Sequence, residues 1–141
     1  MKLLLEYDAD KEAKNNYGST PLIRACANGY AETVKLLLEY GADKEAKNKY
    51  GSTPLIWASW NENTEIVKLL LEYGADINIY HSQSNTCLDY YKEIWDEESI
   101  QELIINNQPH NIKLFDVKIG ILPQLREKYK EIIELTEIGL F

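Results

Sequence analysis

The sequence predicts an all-α repeat fold: a solenoid of helix-turn-helix units joined by long polar loops, capped by a C-terminal helix. Three observations carry that prediction. First, Lys2-Leu3-Leu4-Leu5-Glu6-Tyr7 returns as Lys35-Leu36-Leu37-Leu38-Glu39-Tyr40 and again as Lys68-Leu69-Leu70-Leu71-Glu72-Tyr73, and 20 of the 22 positions 2–23 are identical 33 residues later. Second, apolar residues within each period fall three and four apart, the spacing of one buried helical stripe. Third, Thr-Pro and Gly recur where such helices begin and end. A fixed period in this range means stacked supersecondary units, none able to bury its apolar face alone.

The first helix of a unit is announced by Ser52-Thr53-Pro54 and, one period earlier, by Thr20-Pro21. Threonine caps the free amides, and proline occupies the first helical position, where its missing N–H is no loss. Leu55 and Ala58, at i and i+3, face inward. The second helix starts near Thr64 and carries Val67, Leu70 and Leu71, matched by Val34, Leu37 and Leu38. Gly41 and Gly74 follow as left-handed closing residues. Asp10, Asp43 and Asp76 recur because each closes the turn of its own unit.

These signals divide the chain. Residues 15–47 and 48–80 are two units sharing 21 of 33 positions. Residues 81–107 form a degenerate third unit in which Ser84-Asn85-Thr86-Cys87-Leu88 stands for Gly-Ser-Thr-Pro-Leu. Ile100, Leu103 and Ile104 hold its stripe, and Asn106-Asn107 takes the place of the closing Gly. Terminal units meet water on one side, so degeneration there suits a cap. Residues 1–14 are a partial unit beginning inside a second helix, from which a fragment of a longer repeat protein is expected. In the extension 108–141, the alternation of Ile112, Leu114, Val117, Ile119 and Ile121 predicts an extended segment along the last unit. Pro123 then opens a helix with Leu122, Leu125, Tyr129, Ile132 and Ile133 on one side. That helix either buries its stripe as a cap or docks a partner, and the apolar end Ile138-Gly139-Leu140-Phe141 is either tucked in or part of a contact.

The string Gly-x-Thr-Pro-Leu-x-x-Ala, a short spacer, then Glu-x-Val-Lys-Leu-Leu-Leu-x-x-Gly-Ala-Asp resembles the ankyrin repeat. The resemblance covers residues 1 to about 107. It implies an ankyrin-type solenoid of L-shaped units with paired helices as the stem and β-hairpin-like loops projecting as fingers, and a role in binding proteins. Two departures bear on local structure. The histidine that usually follows Thr-Pro-Leu is Ile23 and Ile56, so apolar packing replaces its hydrogen bonds. The Gly-His pair between helices is Gly29-Tyr30 in one unit but Glu62-Asn63 in the next, where a less tightly fixed turn is expected.

Composition narrows the function. With 23 acidic and 15 basic residues the formal charge is −8, which argues against nucleic acid, whose binding needs clustered Lys and Arg. Lys44, Lys47 and Lys49 cluster on one finger and Lys11 and Lys14 on the one before, but Glu12 and Glu45 interrupt both, as in a solvated loop. Asp96-Glu97-Glu98 suits the N-terminus of the last unit's second helix. Cys26 and Cys87 sit two units apart, too far for a disulfide, and unpaired thiols fit an intracellular, cytoplasmic setting. No apolar stretch is long enough for a membrane span. His81 and His110 lie apart, without other ligands at metal spacing, and no phosphate loop or nucleophile motif occurs. The chain is therefore expected to be no enzyme and to use no cofactor or metal.

Candidate binding residues follow from the repetition itself. Side chains that recur are required by stacking, whereas those that vary between near-identical units are released from it. The variable set includes Asn16 against Lys49, Arg24 against Trp57, Ala27 against Trp60 and Gly29 against Glu62, with Asn28 and Asn61 beside them. In ankyrin-like proteins such positions line a concave groove of finger tips and first helices. The expected partner-binding set is Asn16, Tyr17, Asn28, Lys49, Tyr50, Trp57, Trp60 and Asn61. Trp57 either packs on the neighbouring helix or serves the groove, and Tyr17 and Tyr50 either serve it or pack the hairpins. Trp60 has the stronger claim, because its counterpart Ala27 shows that stacking needs no bulk there, although Tyr91 or Ile94 could shield it. The expected function is a non-catalytic protein-interaction module, monomeric unless the half unit associates. The alternative is a regulatory or targeting fragment of a larger effector or enzyme.

Overall fold

The computed structural model describes residues 10–80, 86–89 and 92–139. The half unit at 1–9, His81 and the opening of the third unit, Tyr90, Tyr91, Leu140 and Phe141 lie outside the described residues. Helices α1 (Pro21–Asn28) and α2 (Ala31–Glu39) form the first hairpin, and α3 (Pro54–Trp60) and α4 (Thr64–Glu72) the second. Thr20 Oγ1 accepts the Ile23 N–H and Thr53 Oγ1 that of Ile56, both at 3.3 Å, with Pro21 and Pro54 in the first turn. Val34, Leu37 and Leu38 on α2 and Val67, Leu70 and Leu71 on α4 are buried where α2 packs on α4, and α1 packs on α3 alongside. Each second helix ends in a paired cap: Gly41 N–H reaches the Leu38 carbonyl and Ala42 N–H that of Leu37, as Gly74 and Ala75 do with Leu71 and Leu70.

The turn between α3 and α4 is as well made as its counterpart, contrary to expectation. Tyr30 N–H bonds the Ala25 carbonyl and Asn63 N–H that of Ala58, both at 3.0 Å. Glu62 adopts the left-handed region that Gly29 occupies one unit earlier, with φ 57°. Asn63 compensates, because its Oδ1 caps the Ile66 N–H at 3.2 Å.

The third unit is remodelled. Its first helix shrinks to a 3-10 turn, Cys87–Asp89, and a short α5 (Lys92–Trp95). Asp89 accepts from the Thr86 N–H at 2.7 Å and the Thr86 hydroxyl at 3.1 Å, and is paired with Lys118. Its second helix, α6 (Glu98–Asn107), packs on α4 and buries Ile100, Ile104 and Ile105, with Leu103 half-buried. Asn106-Asn107 does not close it in the left-handed region: the helix runs through Asn107, and Gln108 ends it at φ −137°. Among the described residues no strand forms, and Tyr80 and Thr86 make an isolated bridge. Cys26 and Cys87 are free and buried.

The extension is helical where alternation suggested an extended segment. A 3-10 turn, Pro109–Asn111, leads into α7 (Ile112–Lys118), and the buried pair is Ile112 and Phe115 at i and i+3, while Val117 is 79% exposed. The period-two reading counted Val117 and passed over Phe115. The single expected helix is two, α8 (Pro123–Lys128) and α9 (Lys130–Glu137), bent at Tyr129, whose backbone leaves helical geometry at φ −112°, ψ 25°. The bend lets α8 pack on α6 while α9 packs on α7. Leu125 and Ile133 are buried and Leu122, Tyr129 and Ile132 pack beside them, so the stripe caps the stack. Ile138, in the closing apolar run, is 71% exposed.

Three buried amides latch this cap in place. Gln101 Nε2 donates to the carbonyls of Trp95 at 3.0 Å and Gly120 at 3.3 Å, and its Oε1 accepts the Leu122 N–H at 2.9 Å. Gln108 Oε1 accepts the Ile77 N–H at 3.1 Å while its Nε2 donates to the Ala75 carbonyl. Asn111 Nδ2 bridges Gln108 Oε1 and Asp76 Oδ1.

Gln101→Leu strands three backbone groups and is expected to lower stability by about 2–3 kcal/mol, read from urea unfolding monitored through the buried Trp95. Glu62→Gly relieves the left-handed strain and is expected to raise stability by about 0.5–1 kcal/mol in the same assay.

Candidate functional site

The fingers are organised by two asparagines that sequence reasoning passed over. Asn15 Oδ1 accepts the N–H groups of Tyr17 at 2.9 Å and Ser19 at 3.0 Å, and Asn48 does the same for Tyr50 and Ser52. Each thereby holds a tyrosine at its finger tip. Their invariance across units was the available signal, but it marked them only as structural. Adjacent fingers are joined by the Lys49 N–H, which donates to the Tyr17 carbonyl at 3.0 Å. At this joint a side chain on Gly18, whose φ is 73°, would approach Lys49 N to 3.2 Å.

Between fingers and first helices lies a cleft of about 220 Å³. Tyr17 and Tyr50 line it from the finger tips, Arg24 and Ala27 from α1, Trp57 from α3, and Ser19, Ile23 and Asn48 complete it. Arg24 and Trp57 hold the same place in successive units, so the packing of α1 on α3 sets guanidinium and indole along one cleft. The recurring tyrosines remain 59% and 55% exposed, more than hairpin packing alone would leave. The cleft thus brings Tyr17, Tyr50 and Trp57 together from the expected set.

The other expected residues are not part of its lining. Trp57 is half-buried against the core and meets Trp60 edge to face, with ring centroids 5.1 Å apart at 89°, while Trp60 is 36% exposed outside the cleft lining. The Trp57 indole N–H is buried with no acceptor in reach among the described residues. Asn61 Nδ2 donates to the Ala27 carbonyl at 2.9 Å, tying α3 to α1, and Asn28 Nδ2 donates within α1 to the Arg24 carbonyl at 3.0 Å. Asn16 and Lys49 are exposed on the fingers. Arg24 and Ala27, identified as variable but left out of the expected set, belong to the cleft itself.

The finger carboxylates are engaged away from their lysine neighbours. Asp10, Asp43 and Asp76 each accept, through Oδ1, the N–H two residues on, closing their own turns as the repeat implied. Glu12 accepts the Asp43 N–H and Glu45 the Asp76 N–H, both at 3.0 Å, each reaching into the following unit. Burial holds the Glu45 carboxyl above the usual range, against the lowering effect of that amide. Burial also raises the Cys26 thiol to about 12 and raises that of Cys87, so neither is a ready thiolate. Among the described residues no three His, Cys, Asp or Glu side chains converge as metal ligands, and no helix is long and apolar enough to cross a membrane.

Comparison with protein families matches a model of ankyrin repeats, in three copies, to residues 1–81. The chain belongs to the ankyrin repeat family, whose members are generally non-catalytic and act in protein-protein interaction. Comparison with curated proteins finds no match.

A carboxyl raised by folding stabilises most when protonated: its contribution is full below the unfolded value and lost as pH rises through the folded one. Glu45→Gln keeps an acceptor for the Asp76 N–H without the half-buried charge. The variant is expected to raise the urea midpoint at pH 7, with the difference from the parent closing as pH falls towards about 4. A lowered midpoint at pH 7 would instead mean that the charge itself couples the units.

Proposed function

We propose that this protein is a non-catalytic interaction module that grips a segment of a partner protein in the cleft between its fingers and first helices. The observation that carries the reading is the place of the variable residues. Arg24, Ala27 and Trp57, which differ between units otherwise alike, line one open cleft with the exposed rings of Tyr17 and Tyr50. A rigid scaffold presenting aromatic side chains offers contact area at little entropic cost, and Trp and Tyr are enriched in binding hot spots. Trp60, Asn16, Lys49, Asn28 and Asn61, outside the cleft lining, are the further contacts of the reading. The net charge of −8 supports a protein partner over nucleic acid or membrane. The module works in the cytoplasm, a setting that accords with two buried free thiols, and as a monomer unless the half unit associates.

The test is capture of a partner from lysate by the intact chain, followed by affinity measurement with that partner purified. Tyr17→Ala/Tyr50→Ala and Trp60→Ala are each expected to weaken binding by about 2 kcal/mol, or roughly thirtyfold, with the helical circular dichroism unchanged. Equal affinity for the tyrosine variant would remove the cleft from the interface. Lost stability with unchanged affinity would make Trp60 structural.

A further inference from the structure

The cleft differs in charge from the chain that carries it. The protein is acidic, yet no lining residue of the cleft is, and the charged group among them is Arg24. Among the described residues no carboxylate forms an ion pair with the Arg24 guanidinium or with the ammonium of Lys49, exposed on the second finger. The carboxylates closest in sequence to Lys49 are drawn elsewhere: Glu45 bonds a backbone amide of the following unit, and Asp43 closes its own turn. A cationic, aromatic-walled cleft on an acidic surface selects its occupant by charge, since like charges are repelled elsewhere on the molecule. Its volume of about 220 Å³ is below the roughly 300–1,000 Å³ of small-molecule pockets and suits one apolar side chain of a peptide. Ala27, where the next unit has Trp60, leaves the entry open beside Arg24.

We infer that the occupant is an acidic, extended peptide segment. An apolar side chain of the segment enters between Tyr17, Tyr50 and Trp57, and a neighbouring Asp or Glu pairs with Arg24, with Lys49 adding long-range attraction. This rests on the cleft being the binding site, as proposed above. An exposed arginine with free donors is suited to take a carboxylate through two parallel bonds, which fixes the segment's register as well as its charge.

The test is selection of a random linear dodecapeptide library on the intact chain, followed by affinity measurement of a recovered peptide through tryptophan fluorescence. Recovered sequences are expected to place Asp or Glu within a few residues of Leu, Ile or Phe. Arg24→Gln, an exposed change, is expected to weaken binding about tenfold or more, and replacing the peptide's acidic residue with its amide should do the same. Raising salt should weaken the parent complex more than the Arg24→Gln complex. Recovered peptides without acidic residues, an affinity indifferent to Arg24→Gln, or a library that yields no binder overturns the inference. If Tyr50→Ala abolishes binding while Arg24→Gln leaves it intact, the cleft is the site and only the acidic partner is refuted. If neither variant matters, both readings fall together.

Discussion

The rest of the structure depends on one constraint: no unit can bury its own helical stripe. Val34, Leu37 and Leu38 are buried on α2, which packs on α1 and on α4, and Val67, Leu70 and Leu71 on α4, which packs on α3 and on α6. At about 1.5–3 kcal/mol for each large side chain fully buried, these neighbour contacts outweigh anything a single hairpin gains from its turn. Direction is then set by polar bonds of fixed register. Glu12 to Asp43, Glu45 to Asp76, Asn61 to Ala27 and Lys49 to Tyr17 all run between adjacent units. The apolar stripe drives association, and these bonds allow only one offset.

Such a stack needs an end, and here the chain abandons repetition. A further unit would bury another stripe and expose one more, whereas α8 packs on α6, α9 packs on α7, and their charged residues face outward. The ion pairs Lys118–Asp89 and Lys128–Glu102 cross between cap and third unit, but they are solvent-exposed and contribute little. The buried amides matter more: Gln101 and Gln108 satisfy backbone N–H and carbonyl groups, and Asn111 ties the Gln108 side chain to Asp76. The loop after α4 is held both by Glu45 of the preceding unit, at the Asp76 N–H, and by Gln108, at the Ile77 N–H.

The candidate site is a by-product of the same regularity. Stacking demands small residues on the first helices and an asparagine-held loop, and it leaves free whatever points from them into the space between. Arg24 and Trp57 can differ because neither is asked to repeat the other's contacts. Binding chemistry can therefore change on this scaffold without disturbing the core.

From residues alone one could determine the period, the helix pairs, the capping threonines, the closing glycines and the buried stripes, because these are local or strictly repeated. The positions that vary between the two units were legible too, as departures from the repeat. What the sequence did not disclose was non-local. Phe115 anchors a helix rather than a strand because a third unit lies above it; Tyr129 bends its helix so that two surfaces are covered at once; Asn63 makes Glu62 tolerable at a glycine position. Whether Tyr17, Arg24, Ala27, Tyr50 and Trp57 meet in one cleft was likewise left to the tertiary structure. They belong to two fingers and two helices, and only the packing of one unit on the next decides which of their faces turn toward each other.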